Sequence, residues 1–280
     1  MGEKLLVSTD WLVTHLSEPS LVLLDASWYM PTDQRDPEAE FQARHIPGAQ
    51  FFDIDDIADK ATDLPHMVPS EAEFAAAMSV RGIRNTDQVV IYDTAGLLSA
   101  PRVWWTFRLF GHERVAILDG GMPKWEREGR PLTANLTNRP TSSFNATLNP
   151  DLLADMNVIA QASKSGTAQI ADGRGAPRFR GEAPEPRSGL AKGRIPGSIN
   201  VFFADLITSD GTLKDAAAIK NLFEDAGIDL SRPVITSCGS GITAAVLSLG
   251  LAIIGHRDHA LYDGSFAEWG QPGMGAIETG

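Results

Sequence analysis

The sequence repeats itself once, and that repetition constrains the fold more than any other feature. Ile46-Pro47-Gly48-Ala49 in the first half answers Ile195-Pro196-Gly197-Ser198 in the second. Gly111-His112 answers Gly255-His256, Asp119-Gly120 answers Asp263-Gly264, and Trp125 answers Trp269. Leu23-Leu24-Asp25-Ala26 likewise answers Gln169-Ile170-Ala171-Asp172. The pairs keep their order, and each is separated by about half of the 280 residues. A solenoid would repeat about every 20 to 50 residues, so the pattern indicates duplication of a whole domain. The spacing predicts a first domain over 1–134, a linker over 135–155 rich in Thr, Asn, Ser and Pro, and a second domain over 156–280.

Within each half, short runs of consecutive apolar residues alternate with helical stretches. Strands are predicted over 88–92 and 115–118 around a helix over 101–110, with Pro101 suited to the first helical turn. The second half gives strands over 234–237 and 260–262 around a helix over 242–254. Strands that are apolar on both faces and alternate with helices imply an α/β fold with a mostly parallel sheet flanked by helices. A hydrophobic fraction of 43% and a charged fraction of 21% suit a packed core. The net charge of −12 and the absence of a basic run argue against nucleic acid as a partner. No apolar stretch reaches membrane-spanning length. Met1-Gly2-Glu3-Lys4-Leu5-Leu6 lacks a signal-peptide core, and Leu6 breaks a myristoylation motif. A single cysteine cannot form an internal disulfide, which fits a reducing compartment and predicts a cytoplasmic location.

That cysteine, Cys238, follows the predicted strand 234–237 in Cys238-Gly239-Ser240-Gly241-Ile242-Thr243-Ala244. A thiol in a glycine-containing loop that opens onto a helix faces backbone N–H groups and the positive end of the helix dipole, both of which favour the thiolate. The competing reading is a small buried apolar side chain. Gly239 and Gly241 favour the reactive reading, because such a loop is costly unless the backbone must curl around something. Strand-by-strand alignment sets Asp93 opposite Cys238, so the first half has no thiol at this place.

These residues, with Ser99-Ala100-Pro101-Arg102-Val103-Trp104-Trp105, Leu118-Asp119-Gly120-Gly121 and Gly193-Arg194-Ile195-Pro196-Gly197, resemble the tandem-rhodanese sulfurtransferases along nearly the whole chain. The resemblance implies two tandem rhodanese-like domains, the second of them catalytic. The family's thiosulfate branch typically carries Cys-Arg-Lys-Gly-Val-Thr-Ala in the loop, and its 3-mercaptopyruvate branch Cys-Gly-Ser-Gly-Val-Thr-Ala. The present loop matches the latter with Ile242 in place of Val. The implied activity is transfer of sulfane sulfur from 3-mercaptopyruvate through a Cys238 persulfide to a thiol or cyanide, with release of pyruvate. Arg178 and Arg187 would hold the substrate carboxylate and ketone. Gly239, Gly241, Ile242 and Thr243 would line the persulfide. An Asp55–His66–Ser240 relay would supply a proton. The partners implied are a small-molecule sulfur donor and a thiol acceptor, either a small thiol or a thioredoxin-like protein.

Physical chemistry agrees with the split between branches. Arg and Lys beside the thiol suit a compact dianion such as thiosulfate, whereas a singly charged 2-oxo acid needs an arginine farther from the reacting sulfur. Thiosulfate sulfurtransfer and a non-enzymatic persulfide carrier or redox sensor remain as alternatives. A cysteine phosphatase is disfavoured, because Ala244 stands where its loop needs arginine. No cofactor is expected. His256 and His259, just past the helix, have no acidic or thiol partners at ligand spacing, so no metal site is expected there, and both should face solvent or sit behind a site.

Overall fold

The computed structural model describes residues 4–280, so the expectations placed on Met1-Gly2-Glu3, including the myristoylation test, lie outside the described residues. The chain divides into two compact units. The first runs through Asp59 and includes Val68–Asn149 and Ser209–Leu213. The second comprises Lys60–Met67, Pro150–Thr208 and Lys214–Gly280.

In the first unit, β1 (Leu6–Val7), α1 (Thr9–His15), β2 (Leu21–Asp25), α2 (Pro37–Ala43), β3 (Ala49–Phe51) and α3 (Glu71–Val80) are followed by β4 (Gln88–Tyr92), α4 (Ala100–Leu109), β5 (Val115–Leu118) and α5 (Gly121–Arg127). Its sheet has the order β1-β5-β4-β2-β3, with every pairing parallel. In the second unit, β6 (Leu153–Ala154), α6 (Met156–Ser165), β7 (Gln169–Asp172), α7 (Ala176–Phe179) and β8 (Ser198–Asn200) precede α8 (Ala216–Asp225), β9 (Val234–Ser237), α9 (Ala244–Ile253), β10 (His259–Tyr262) and α10 (Ser265–Trp269). The order β6-β10-β9-β7-β8, again all parallel, repeats the first sheet strand for strand. Strands β2, β5, β7 and β9 are buried at every residue, as continuous apolar runs in a sheet covered on both faces require.

The repeated sequence landmarks now have structural reasons. Ile46 and Ile195 are buried, and the amide of the residue three positions on donates to each carbonyl at 3.1 Å. Pro47 and Pro196 set the second corner of that turn, and Gly48 and Gly197 take the third at φ +88° and +75°. A turn of this kind leads each chain into β3 or β8 and needs glycine at its left-handed corner. Trp125 and Trp269 sit in the cores of their units, and each indole N–H donates to a later carbonyl, of Pro131 at 2.9 Å and of Ala276 at 2.8 Å. α9 is buried from Ala244 through Leu251, as a helix apolar all round must be.

Three expectations need correction. Strand register aligns Asp25 with Asp172, not Ala26 with Asp172: Asp25 pairs with Phe51 and Tyr92 as Asp172 pairs with Asn200 and Ser237. Residues 135–149 are mostly exposed, as expected, but they belong to the first unit rather than standing apart as a linker. Phe144 is buried against Phe74 and Phe107, and the amides of Ser142, Thr147 and Asn149 donate to carbonyls of Ser79, Phe110 and Leu109. Beyond them, 153–154 already form β6. His259 opens β10 and is buried, with Nδ1 2.8 Å from the His256 carbonyl oxygen, while His256 is partly exposed. Among the described residues, no helix is long and apolar enough to cross a membrane.

Candidate active site

Cys238 follows β9 at the carboxyl end of its sheet, beside β7, where the chain's path reverses between neighbouring strands. Such a switch point leaves a crevice that open α/β sheets use for ligands. The thiol is 2% exposed, and the Gly241 amide donates to Sγ at 3.2 Å. Gly241 closes the curl at φ +84°, a left-handed conformation that glycine adopts without strain. The loop carbonyls turn away from the sulfur: those of Cys238 and Gly239 accept from Phe266 and Ala267 in α10 at 3.0 and 2.8 Å. Trans peptide planes then direct the Gly239 and Ser240 amides to the opposite side from α10. The Cys238 amide is held by Ser265 Oγ at 3.2 Å, and that hydroxyl donates to the Tyr262 carbonyl at 2.9 Å. Ser265 does this at φ +48°, a conformation worth about 1–2 kcal/mol of strain for a residue with a Cβ. Ser240 and Ile242 are buried at 5% and 3%, and Thr243 immediately precedes α9.

Beside the loop runs a chain of alternating charges. Asp172, at the end of β7, binds the Arg174 guanidinium through Nε and Nη2, the latter at 2.6 Å. Arg174 is fully buried, lies 3.9 Å from the Phe266 ring centroid, and donates to Glu185 Oε1 at 2.8 Å and the Gly193 carbonyl at 3.0 Å. Burial works against its charge, but the Asp172 and Glu185 carboxylates overcome this and leave its pKa above the ordinary value. Glu185, whose side chain is 2% exposed, then receives Nε of Arg178 at 3.2 Å and also Nη2 of Arg178. Nη2 of Arg178 reaches the cysteine loop: a Cβ at position 239 would lie 2.8 Å from it. Arg178 is thus singled out from its neighbours. Arg180 pairs with exposed Glu182, and Arg194 pairs with Glu278 while lying over the Phe179 ring.

Arg187 Nη2 stands 3.2 Å from His66 Nε2. Arginine can only donate, so Nε2 accepts and the His66 proton sits on Nδ1 in this arrangement. His66 is buried, takes φ +63°, and belongs with the second unit rather than the first, where the sequence order suggested it. Asp55 belongs to the first unit, where it accepts from the Trp28 indole at 2.9 Å. Cys238, Gly239 and Arg178 therefore come together, and so do His66 and Arg187.

The first unit supplies a counterpart of the cysteine loop. Register sets Asp93 at the position of Cys238, since Tyr92 pairs with Asp25 as Ser237 pairs with Asp172. The Asp93 carbonyl accepts from Met122 at 3.0 Å as the Cys238 carbonyl accepts from Phe266. The Asp93 carboxylate collects five backbone amides, from Ala95, Gly96, Leu98, Ser99 and Ala100, at 2.6 to 3.0 Å. The loop is an anion nest, filled here by the chain's own carboxylate. Its neighbour differs too: where Asp172 has Arg174, Asp25 has Ser27, and burial pushes the Asp25 carboxyl up to about 6 against the hydrogen bonds from Ser27.

Sequence reasoning missed Glu185, Ser265 and the pairing of Arg174 with Asp172. The Asp-x-Arg spacing of Asp172 and Arg174 is the one local signal available, while Glu185 and Ser265 reach the loop through tertiary contacts.

Comparison with known proteins agrees with this architecture. The family described as Rhodanese-like domain matches residues 8–128 and 155–272. The chain is 43% identical over 270 residues to the 3-mercaptopyruvate sulfurtransferase of Homo sapiens, covering 94% of this chain and 91% of the relative. It is 42% identical over 284 residues to the mitochondrial thiosulfate/3-mercaptopyruvate sulfurtransferase 1 of Arabidopsis thaliana, covering 94% and 75%. The crystal structure of SseA from Escherichia coli, a 3-mercaptopyruvate sulfotransferase, superposes with a TM-score of 0.86 at 39% identity, covering 94% of this chain and 98% of that one.

Proposed function

The chain belongs to the rhodanese-like domain family, and from that premise we propose that it is an enzyme transferring sulfur from 3-mercaptopyruvate to a thiol or cyanide acceptor, with release of pyruvate. One observation carries the reading: the residues next to the thiol in Cys238-Gly239-Ser240-Gly241 are uncharged, while the cation at the loop, Arg178, comes from α7. That arrangement suits a monoanionic 2-oxo acid, whose carboxylate lies away from the sulfur to be transferred.

The proposed first step is attack of the Cys238 thiolate on the substrate sulfur. An S–S bond forms, the C–S bond breaks, and its electron pair leaves with the enolate of pyruvate, which takes a proton at carbon. Amides of the loop from Gly239 to Thr243 stabilise the terminal sulfur of the resulting persulfide, as their counterparts at Ala95, Gly96 and Leu98 stabilise the Asp93 carboxylate. An acceptor thiol, from a small molecule or a thioredoxin-like protein, attacks that sulfur and restores the thiolate. Arg178 and Arg187 hold the carboxylate and ketone. We assign proton delivery to Ser240 and His66, with Asp55 included on the family resemblance. His66 Nε2 accepts from Arg187, and on this reading the Ser240 hydroxyl takes the place of Arg187 as its donor once substrate has captured the arginine. A cytoplasmic location fits the single cysteine.

Mass spectrometry of intact protein after brief exposure to 3-mercaptopyruvate tests the reading. One added sulfur atom is expected in the native chain and none in Cys238→Ser, which should also lose all transfer activity. Substantial transfer by Cys238→Ser with any donor would refute it, since the chain has no other thiol. A carrier rather than an enzyme would load once and then fail to turn over. Preference for thiosulfate in kcat/KM would replace the proposed donor while leaving the cysteine chemistry intact.

A further inference from the structure

The first unit holds a cavity of about 300 Å³, bordered by Asp25 at the end of β2 and by Thr94 just past β4. Its place follows from the duplication. Asp25 and Asp172 are equivalent by strand register, and Oδ1 of each holds the amide two residues on, of Ser27 at 2.9 Å and of Arg174 at 3.0 Å. Ser27 therefore stands where the second unit has Arg174. There the Arg174 guanidinium meets Asp172 Oδ2, the Gly193 carbonyl and the Phe266 ring. The counterparts of those three residues are Asp25, Arg44 and Met122. Arg44 precedes Ile46 by two residues as Gly193 precedes Ile195, and the Met122 amide meets the Asp93 carbonyl as that of Phe266 meets the Cys238 carbonyl. All three line the cavity. The first unit thus keeps the surroundings of a buried guanidinium, while its own side chain at that place ends at a hydroxyl.

A second observation points the same way. Asp25 is 1% exposed, and its Oδ2 has no hydrogen-bond partner among the described residues. The equivalent oxygen of Asp172 accepts from Arg174 Nη2 at 2.6 Å. Tyr92 lies beside the Asp25 carboxyl and favours its charged form, but burial prevails and holds the pKa up to about 6. A buried acceptor in this condition is costly, and a cationic donor relieves the cost. The other lining charges occur as pairs, Arg35 with Glu40 at 2.6 Å and Arg44 with Glu126 at 3.0 Å. A volume of about 300 Å³ lies at the lower end for ligand pockets and suits a planar cation on a short alkyl tail. We propose that this cavity binds an alkylguanidinium group, whose head donates to Asp25 Oδ2 and lies against Met122 as the Arg174 guanidinium lies against Phe266. The site is independent of the sulfur chemistry at Cys238.

Isothermal titration calorimetry of the whole chain with millimolar ethylguanidinium tests the site, and saturable binding is expected. Asp25→Asn should weaken that binding by at least about tenfold, the loss of one charge-assisted hydrogen bond. Ser27→Arg returns an arginine to the position and should abolish binding by filling the cavity from within. Ethylammonium lacks the planar fork and should bind at least about fivefold more weakly than ethylguanidinium. L-Arginine and an acetylated, amidated Gly-Arg-Gly peptide separate the two sources of the group. Tighter binding of the amino acid supports a free guanidino compound, and tighter binding of the peptide supports an arginine side chain of another protein. The proposal is overturned by absence of saturable binding, by ethylammonium binding as well as ethylguanidinium, or by unchanged affinity in folded Asp25→Asn or folded Ser27→Arg. If Ser27→Arg fails to fold, Asp25→Asn decides alone, since a neutral amide removes the cost of burying that charge.

Discussion

Replacing Gly239 by alanine isolates the contact between Arg178 and the cysteine loop. The added Cβ would lie 2.8 Å from Arg178 Nη2, at least about 0.7 Å inside ordinary contact distance, and Nη2 is the only guanidinium atom it meets closer than 3.8 Å. Gly239 is not in a left-handed conformation, so alanine brings no backbone strain and slightly restricts the unfolded chain. The fold should therefore keep its stability or gain a few tenths of a kcal/mol. Arg178 must yield, against two hydrogen bonds that tie it to buried Glu185. Loss of one charge-assisted hydrogen bond to substrate costs about 1.5–3 kcal/mol, so kcat/KM for 3-mercaptopyruvate should fall roughly 10- to 150-fold, mainly through KM. Steady-state kinetics beside thermal melts would separate the two effects. A double-mutant cycle sharpens the test: in an Arg178→Ala background, Gly239→Ala should cost almost nothing. An equal loss in both backgrounds would show that the methyl group acts on the cysteine loop itself, and the argument from Arg178 would fail.

Arg187→Ala should raise KM for 3-mercaptopyruvate by the same order, roughly 10- to 150-fold. An unchanged kcat/KM would make that arginine a bystander. Asp25→Asn probes the buried carboxyl that has Ser27 where Asp172 has Arg174. The folded pKa of Asp25, about 6, lies above its ordinary value of 3.8, so its contribution is fully present below about pH 4 and is lost as pH rises through 6. Urea titrations at pH 4 and 7.5 should show Asp25→Asn gaining up to about 3 kcal/mol on the wild type between those points, and parallel pH profiles would contradict the burial argument.

Much of the fold was legible because its strands are written as uninterrupted apolar runs. The predicted strands 88–92, 115–118 and 234–237 match β4, β5 and β9 residue for residue. The same uniformity explains the slip at β2, where Leu21–Leu24 offer no polar mark to fix alignment and pairing alone identifies Asp25 with Asp172. Over 135–149 composition gave the exposure but not the attachment: the Ser, Thr and Asn residues do face solvent wholly or in part, while Phe144 anchors the segment and its amides find carbonyl partners on the first unit. Cys238 could be read from its loop because glycines and a following helix are local features. Glu185 could not, since nothing in Glu182-Ala183-Pro184-Glu185 tells which acid is buried and which is exposed: Glu182 pairs with Arg180 at the surface, Glu185 with two arginines inside.

The Asp93 nest also bears on how the protein stores free energy through a catalytic cycle. In the first unit five amides are permanently satisfied by a carboxylate that cannot leave. In the second, the equivalent loop surrounds a thiol that draws one amide hydrogen bond, from Gly241. On the proposed chemistry, the outer sulfur of a persulfide becomes the missing anion, attached and removed once per turnover. Cargo and scaffold are then thermodynamically linked: sulfur bound by the folded loop stabilises it, and the tightened loop holds the sulfur against water. The acceptor must supply in its attack what the nest gives up on release. The half without a cysteine thus displays, as a fixed feature of its fold, the anion-filled state that the other half would visit and leave on this chemistry.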